Sequence, residues 1–301
     1  MNHVFLSPHP DDIALSCGGL IALLRDAGDD VTIVTLFSGA GSAVRLTRYQ
    51  QRALGFDRDA DERGDPEPTE PDEANAPASA SAPIPERVMA ARRQEDEAYA
   101  RFVGAGLANL RLADAVFRGY IGGPQLFGAP RPNDPAPVEE LRAALADLTV
   151  DMLYIPLAIG GHVDHRQTCR AAIALLNESG SPYADRATFF EDFPYALTVR
   201  FEDLNELDPA ILSSLPPDTS LTPEYIEVGT SLDRKIDGLR AYETQIAHLF
   251  GEDGESVADA IRTQTTRIGE LGGVGPAERY WQVGGTADSR SSAARPPRRA
   301  T

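Results

Sequence analysis

Residues 3–37, HVFLSPHPDDIALSCGGLIALLRDAGDDVTIVTLF, carry the reading of the fold. HVFLS (3–7) is a short apolar run ending in a proline-rich turn, as a strand does at a sheet edge. From Ile13 to Leu24 the apolar residues fall at 13, 17, 20, 21 and 24, the spacing of one helix face, and Gly28 follows as a stop signal. VTIVTLF (31–37) is apolar and β-branched on both faces, which predicts a buried parallel strand. The stretch is therefore one β-α-β unit with a right-handed crossover. It has no G-x-G-x-x-G after the first strand, so a dinucleotide fingerprint is absent.

The same alternation continues outward. ERVMAARRQEDEAYARFV (86–103) predicts a helix with Val88, Ala91, Ala98 and Phe102 inward, followed by a short strand near Asn109–Leu112. A helix over Val138–Leu148, a buried strand MLYIPL (152–157) and a helix from Asp164 to Asn177 come next. Further strands are expected at 187–190, 196–201 and 225–228, and one long helix over Ser231–Phe250 with Leu232, Ile236, Leu239, Ile246 and Phe250 inward. Strands alternating with helices predict an α/β fold, Rossmann-like, with a mostly parallel sheet and helices on both faces. Residues 1–285 read as a single catalytic domain. Nine acidic residues between Asp57 and Glu73, then a Pro/Ala/Ser-rich run, mark 57–85 as a disordered insertion, because such a segment buries too little apolar surface to offset its ordering entropy; as it leaves from the end of the second strand, a substrate lid is the alternative. The tail 286–301 reads the same way.

Composition narrows the function. With 46 Asp+Glu against 28 Lys+Arg, the surface repels phosphate backbones and argues against nucleic-acid binding. Neither a secretory signal nor an apolar run of about 18 residues is visible, so a soluble cytoplasmic protein with no membrane partner is expected. Cys17 and Cys169 lie on apolar helix faces and read as buried, reduced thiols. Lys235 is the sole lysine.

Three of the five histidines stand where chemistry requires them. His9 lies in SPHPDD with Asp11 and Asp12, just past the first strand. His162 and His165 lie in GGHVDH with Asp164, just past MLYIPL. Ligands in open α/β sheets bind outside the carboxyl ends of strands, so both loops face one site. Imidazole plus carboxylate suits a zinc ion held by three protein groups with a fourth position open, and iron, cobalt or nickel would also fit. Such an ion brings the pKa of bound water to about 7, while a neighbouring carboxylate takes its proton and a histidine serves the leaving amine. Spacing alone does not distribute these roles. Each loop taken singly is also what a helix cap looks like; the pair together is not. Asp114 is a strand-end carboxylate that either faces this pocket or does not. His3 and His248 read as structural, Tyr195 and Tyr242 as core. Arg92 and Glu95, three apart on a helix, read equally as a surface pair or as a substrate contact.

The motifs PHPDD, SCGGLIA, R-x-x-E at Arg92 and Glu95, GGHVDH, EDFPYA (191–196), KIDGLRAYETQ (235–245) and AERYW (277–281) resemble those of the PIG-L/LmbE-like N-acetylglucosaminyl deacetylases. The resemblance runs from residue 1 to about 282, interrupted at the acidic stretch. It implies a zinc-dependent amide hydrolase that removes an acyl group from an N-acyl amino sugar. In that family's pattern His9, Asp12 and His165 are the metal ligands and Asp11 is the general base. His162 stabilises the oxyanion or protonates the leaving amine, Asp164 orients a histidine, and Arg92 sits near the substrate. Ile13 stands where many members have Glu. The small-molecule substrate is an amino sugar of unspecified kind, homo-oligomers are left open, and a binding module that keeps the metal without turnover is the alternative. A two-metal phosphoesterase is disfavoured, because it needs a second ligand set and an anionic substrate.

Overall fold

The computed structural model describes residues 1–42, 50, 54, 84–216, 219–250 and 254–284. The insertion expected at 57–85, apart from Ile84 and Pro85, lies outside them, as do the tail 286–301 and the side chain of His248. The opening unit forms as its spacing predicts: β1 over Asn2–Ser7, α1 over Asp12–Asp26 and β2 over Asp30–Thr35. Helix α2 spans Ile84–Val103, β3 Gly106–Asn109, α3 Val138–Ala146, β4 Met152–Pro156, α4 Val163–Leu176 and β5 Ala187–Phe190. The described residues continue with β6 (Ser220–Glu227), α5 (Leu232–Gly238), α6 (Glu243–Phe250), α7 (Gly254–Gly272) and β7 (Ala277–Gly284).

Seven strands make one sheet in the order β3-β2-β1-β4-β5-β7-β6. The first five run parallel, and β7 lies antiparallel to both β5 and β6. Alternation along the central strands sends side chains to two cores. Val4, Leu6, Leu153 and Ile155 meet Leu141 of α3 and Ile173 of α4 on one face. Phe5, Ile33 and Tyr154 meet Leu15 and Ile21 of α1 and Tyr99 of α2 on the other. The α/β architecture with helices on both faces is as expected. From β1 the chain winds outward one way, and from β4 the other. The crevice between their carboxyl ends is thus the topological switch point, where ligands bind in such sheets.

Several elements differ from the sequence reading. The third strand lies at 106–109, and residues 110–112 merely run on along it, Leu110 N and Leu112 N donating to Thr35 O and Leu36 O. Residues 196–201 are not a strand; Tyr195–Thr198 is a helical turn. The helix over 231–250 is broken into α5, a 3-10 turn at Leu239–Ala241, and α6. Glu95 of α2 explains the restart, since its carboxylate accepts from Thr244 N at 2.9 Å and Thr244 Oγ1 at 2.7 Å. In α2 itself Ala91 and Phe102 are exposed, and the inward face carries Arg92, Arg93, Asp96 and Tyr99. Charged residues turn inward there because partners await them: Asp96 accepts from Thr35 Oγ1 and Tyr242 Oη, at 2.7 and 2.8 Å, and Arg93 donates to Ser38 O at 2.6 Å.

Gly18 and Gly19 of α1 let other elements close in. A Cβ on Gly19 would lie 2.8 Å from both Glu278 Oε1 and Val228 Cβ. Through that gap the Glu278 carboxylate of β7 accepts from Gly19 N (2.9 Å) and Leu20 N (3.0 Å), and also from Lys235 Nζ of α5 (2.7 Å) and Tyr280 Oη (2.8 Å). The sole lysine is therefore a buried pin joining α1, α5 and β7.

Candidate metal centre

After Ser7 the chain leaves the sheet through Pro8 and Pro10, which have no N–H to donate to a ladder. Ser7 Oγ donates to His9 O (2.6 Å), and the Asp12 carboxylate closes the turn by accepting from His9 N (2.8 Å). Asp11, at the start of α1, adopts φ 103°, a conformation costly for a residue with a Cβ. At the end of β4, Ala158, Gly160 and Gly161 all take positive φ. Gly160 has no alternative, since a Cβ would lie 2.7 Å from Tyr195 Cβ. These turns deliver His162 to the N-cap of α4, where its Nδ1 accepts from Asp164 N at 3.3 Å.

The two loops meet. Ligand atoms of His9, His162 and His165 lie within 4.8 Å of one another, as do those of His9, Asp114 and Asp164, and all are buried. Each of two imidazoles is held at one nitrogen by a buried carboxylate: His9 Nε2 by Asp164 Oδ2 at 2.9 Å, and His165 Nδ1 by Asp192 Oδ1 at 2.6 Å. Their other nitrogens converge on one atom. Asp12 Oδ2 is 3.2 Å from His9 Nδ1 and 3.3 Å from His165 Nε2. His165 Nε2 is buried without a hydrogen-bond partner of good geometry. A carboxylate oxygen and two imidazole nitrogens turned to one point, with the opposite nitrogens tied back, are a donor set suited to a zinc-type ion.

Charge in the centre points the same way. Burial opposes the protonated form of His9, yet its bonds to Asp12 and Asp164 prevail and raise its pKa well above the ordinary value. For His165 burial is likewise outweighed, by the charge of Asp12 and the bond and charge of Asp192, and its pKa rises to about 9. The carboxylates here demand positive charge, which protons or a metal ion can supply, so an ion entering this centre would compete with protons. His162 differs: burial and the charge of His9 lower it to about 3, leaving a neutral ring. Asp11 is raised, by burial and by the adjacent Asp12.

Of the remaining candidates, Arg92 is buried and is no surface partner of Glu95. Its Nη2 is 4.0 Å from Asp11 Oδ1, and its Nη1 is 3.6 Å from Asp114 Oδ2. Asp114 does face the site, 3.8 Å from His9 Nε2. Tyr195, expected in the core, is only half-buried and packs edge-on against His165, with ring centroids 5.3 Å apart. Tyr242 is core, and His3 sits outside the centre between Tyr154 and Asp29. The motif spacing assigns Asp192 no functional role. Its signal was available, since it follows a buried strand at the same sheet edge as His9 and His162. Both cysteines are free and buried.

Gly39 holds the loop that carries Asp114: its N–H donates to Leu112 O (2.9 Å) and its carbonyl accepts from Asp114 N (3.0 Å). A Cβ there would lie 2.3 Å from Arg111 O, so Gly39→Ala is expected to cost about 1–3 kcal/mol by overpacking. Urea unfolding checks this, and an unchanged midpoint would refute it.

A family model described as "PIG-L: GlcNAc-PI de-N-acetylase" matches residues 4–176. The 2'-N-acetylparomamine deacetylase of Streptomyces fradiae is 29% identical over 298 residues, covering 97% of this chain and 85% of that protein. Among solved structures, the A40926 pseudoaglycone deacetylase superposes with a TM-score of 0.65 at 24% identity, covering 95% of this chain and 98% of that one. The zinc-inhibited form of teicoplanin deacetylase gives 0.67 at 21% identity, covering 96% and 100%. The matched segment includes more than half of the chain and both histidine loops, and the chain belongs to the PIG-L family.

Proposed function

We propose that this protein is a metal-dependent deacetylase that hydrolyses the amide of an N-acyl amino sugar. The observation that carries the reading is the convergence of His9 Nδ1 and His165 Nε2 on Asp12 Oδ2, each ring tied back by its own carboxylate. His9, Asp12 and His165 would hold one divalent ion, zinc in first place, with iron, cobalt or nickel able to use the same donors. The bound ion supplies Lewis acidity towards the acyl oxygen and a lowered pKa for the attacking water.

The other residues take roles their surroundings support. Asp11, made more basic by burial and by Asp12, takes the proton of the attacking water and passes it to the leaving amine. His162 accepts from Asp164 N at Nδ1, so its neutral ring carries the proton on Nε2 and donates to the oxyanion. That favours oxyanion stabilisation over acid catalysis for this residue. Arg92 steadies Asp11 and stands at the substrate side, while Asp164 and Asp192 orient the two ligand imidazoles. An amino-sugar substrate is supported by the deacetylase from Streptomyces fradiae, and the net charge of −18 speaks against nucleic acid. Among the described residues no helix is long and apolar enough to cross a membrane, and two free buried thiols fit a cytoplasmic setting.

Elemental analysis of untagged protein tests the centre. Near-stoichiometric metal is expected in the native chain and none in His9→Ala or His165→Ala. Acid release from a panel of N-acyl amino sugars then tests the reaction, with metal added in stoichiometric steps because a relative has a zinc-inhibited form. Metal uptake with ligand-induced stabilisation and no turnover would replace the enzyme by a binding module.

A further inference from the structure

Asp164 is wholly buried, and its carboxylate accepts three hydrogen bonds. One comes from His9 Nε2. The other two come from the loop after β3, which belongs to neither histidine loop: Ala115 N donates to Oδ2 at 2.9 Å and Arg118 Nη2 to Oδ1 at 2.6 Å. Arg118 is itself immobilised. Its Nε lies 3.0 Å from Asp134 Oδ1, its Nη2 3.1 Å from Asp134 Oδ2, and its Nη1 donates to Ala113 O. The guanidinium stacks 4.6 Å above the ring of Phe37, and only 17% of the side chain is exposed. A planar fork held at one edge by a carboxylate and on one face by an aromatic ring presents its remaining N–H in a fixed direction.

That direction matters because Asp164 sets the orientation of His9. With Oδ1 on Arg118 and Oδ2 on Ala115 N, the carboxylate has no freedom to rotate, and the remaining lone pair of Oδ2 holds His9 Nε2. The ring is thereby fixed with Nδ1 towards Asp12. Without the guanidinium, a buried carboxylate oxygen loses its charged donor, and the ring loses its rigid anchor.

We propose that Arg118 is a positioning residue of the metal centre: from the loop after β3 it clamps Asp164, through it fixes His9, and so sets the affinity for the ion. This rests on the reading that His9, Asp12 and His165 bind metal. Because coupling is reciprocal, ion binding must in turn steady the 113–118 segment.

The test is the affinity for Zn²⁺ and Co²⁺, measured by competition with a chromophoric chelator on the full chain. Arg118→Gln is expected to bind about 10–100-fold more weakly, the usual cost of losing a partner that orients a metal ligand, and to change the visible spectrum of bound Co²⁺. Arg118→Lys keeps the charge but not the fork, so it should fall between the two and serves as well if Arg118→Gln folds poorly. Arg131→Gln is the control. Arg131 lies on the same loop, over the ring of Tyr120, bonded to Gly119 O and at 3.4 Å to the main-chain oxygen of Arg118, and has no bond to Asp164 or to the Arg118 guanidinium among its described contacts; it should bind as the native chain does. In the native protein, Zn²⁺ should slow hydrogen exchange at the Ala115 amide. Native affinity in folded Arg118→Gln, or an equal loss in Arg131→Gln, would overturn the proposal while leaving the metal reading intact. Native protein that binds neither ion would overturn both.

Discussion

Asp11→Asn is expected to keep its metal and to lose about 10²–10⁴-fold in turnover on an N-acyl amino sugar, the span attributed to a positioned general base. The substitution is nearly isosteric, so what it removes is basicity. That basicity is built into the site: burial and the neighbouring Asp12 raise Asp11, against the opposing charges of Arg92 and His9. Asn also tolerates positive φ better than most residues, so the 103° backbone at this position is not a reason for the variant to unfold. Asp11 is not among the three residues proposed to hold the ion, which is why metal content and rate should separate. Acid release and elemental analysis on one preparation provide the check. A rate within tenfold of native would remove Asp11 from the base role, and loss of metal would make it a ligand.

The second large effect concerns stability. Glu278→Leu removes the only carboxylate on Lys235 Nζ among the described contacts, and leaves a buried ammonium whose remaining bond is to Ser16 O at 3.2 Å. Removing one partner of a buried ion pair typically costs about 3–5 kcal/mol. Here α1 also loses the acceptor for Gly19 N and Leu20 N. Lys235→Met should cost less, since Glu278 keeps three donors in Gly19 N, Leu20 N and Tyr280 Oη. The double variant should recover part of the loss, because two apolar side chains carry no unpaired charge. Urea denaturation of the three variants measures the cycle. A Glu278→Leu cost below about 1 kcal/mol would mean that water reaches the pair and that it pins nothing.

These same residues show what the sequence discloses and what it hides. The first β-α-β unit was legible because its apolar residues follow period 3.6 and then fill both strand faces, and the two histidine loops because they end strands bordering the switch point. Helix α2 misled because periodicity seeks apolar faces, whereas its inward face carries Arg92, Arg93 and Asp96, charges whose partners come from distant chain segments. Strand β7 was hidden for the same reason. Glu278 and Arg279 look like surface residues until Lys235 and Glu191 are seen beside them. Residues 196–201 were too short an apolar run for period to separate strand from helical turn. Helix α7 did carry a signal, with Val257, Ile261 and Ile268 on one buried face, diluted by threonine and arginine. In the site, Arg118 carries no local pattern, and Asp192, though it ends a buried strand, does not show in sequence which side chain it meets. Only the folded chain brings them to Asp164 and His165.

The position of β7 has a consequence for the order in which the protein is made. Among the described residues, the strand last in sequence is not last in the sheet, for it lies between β5 and β6. A chain emerging amino terminus first can pair its five parallel strands and gather both histidine loops once residue 192 is out. At that stage β6, when it follows, has no neighbour to hydrogen-bond, and the open side of β5 is an unpaired edge of the kind that recruits other chains. Residues 277–284 end this interval by inserting between the two, and Glu278 then locks onto a helix 259 residues behind it. The vulnerable species during synthesis is therefore a chain with both histidine loops already gathered and its sheet still open.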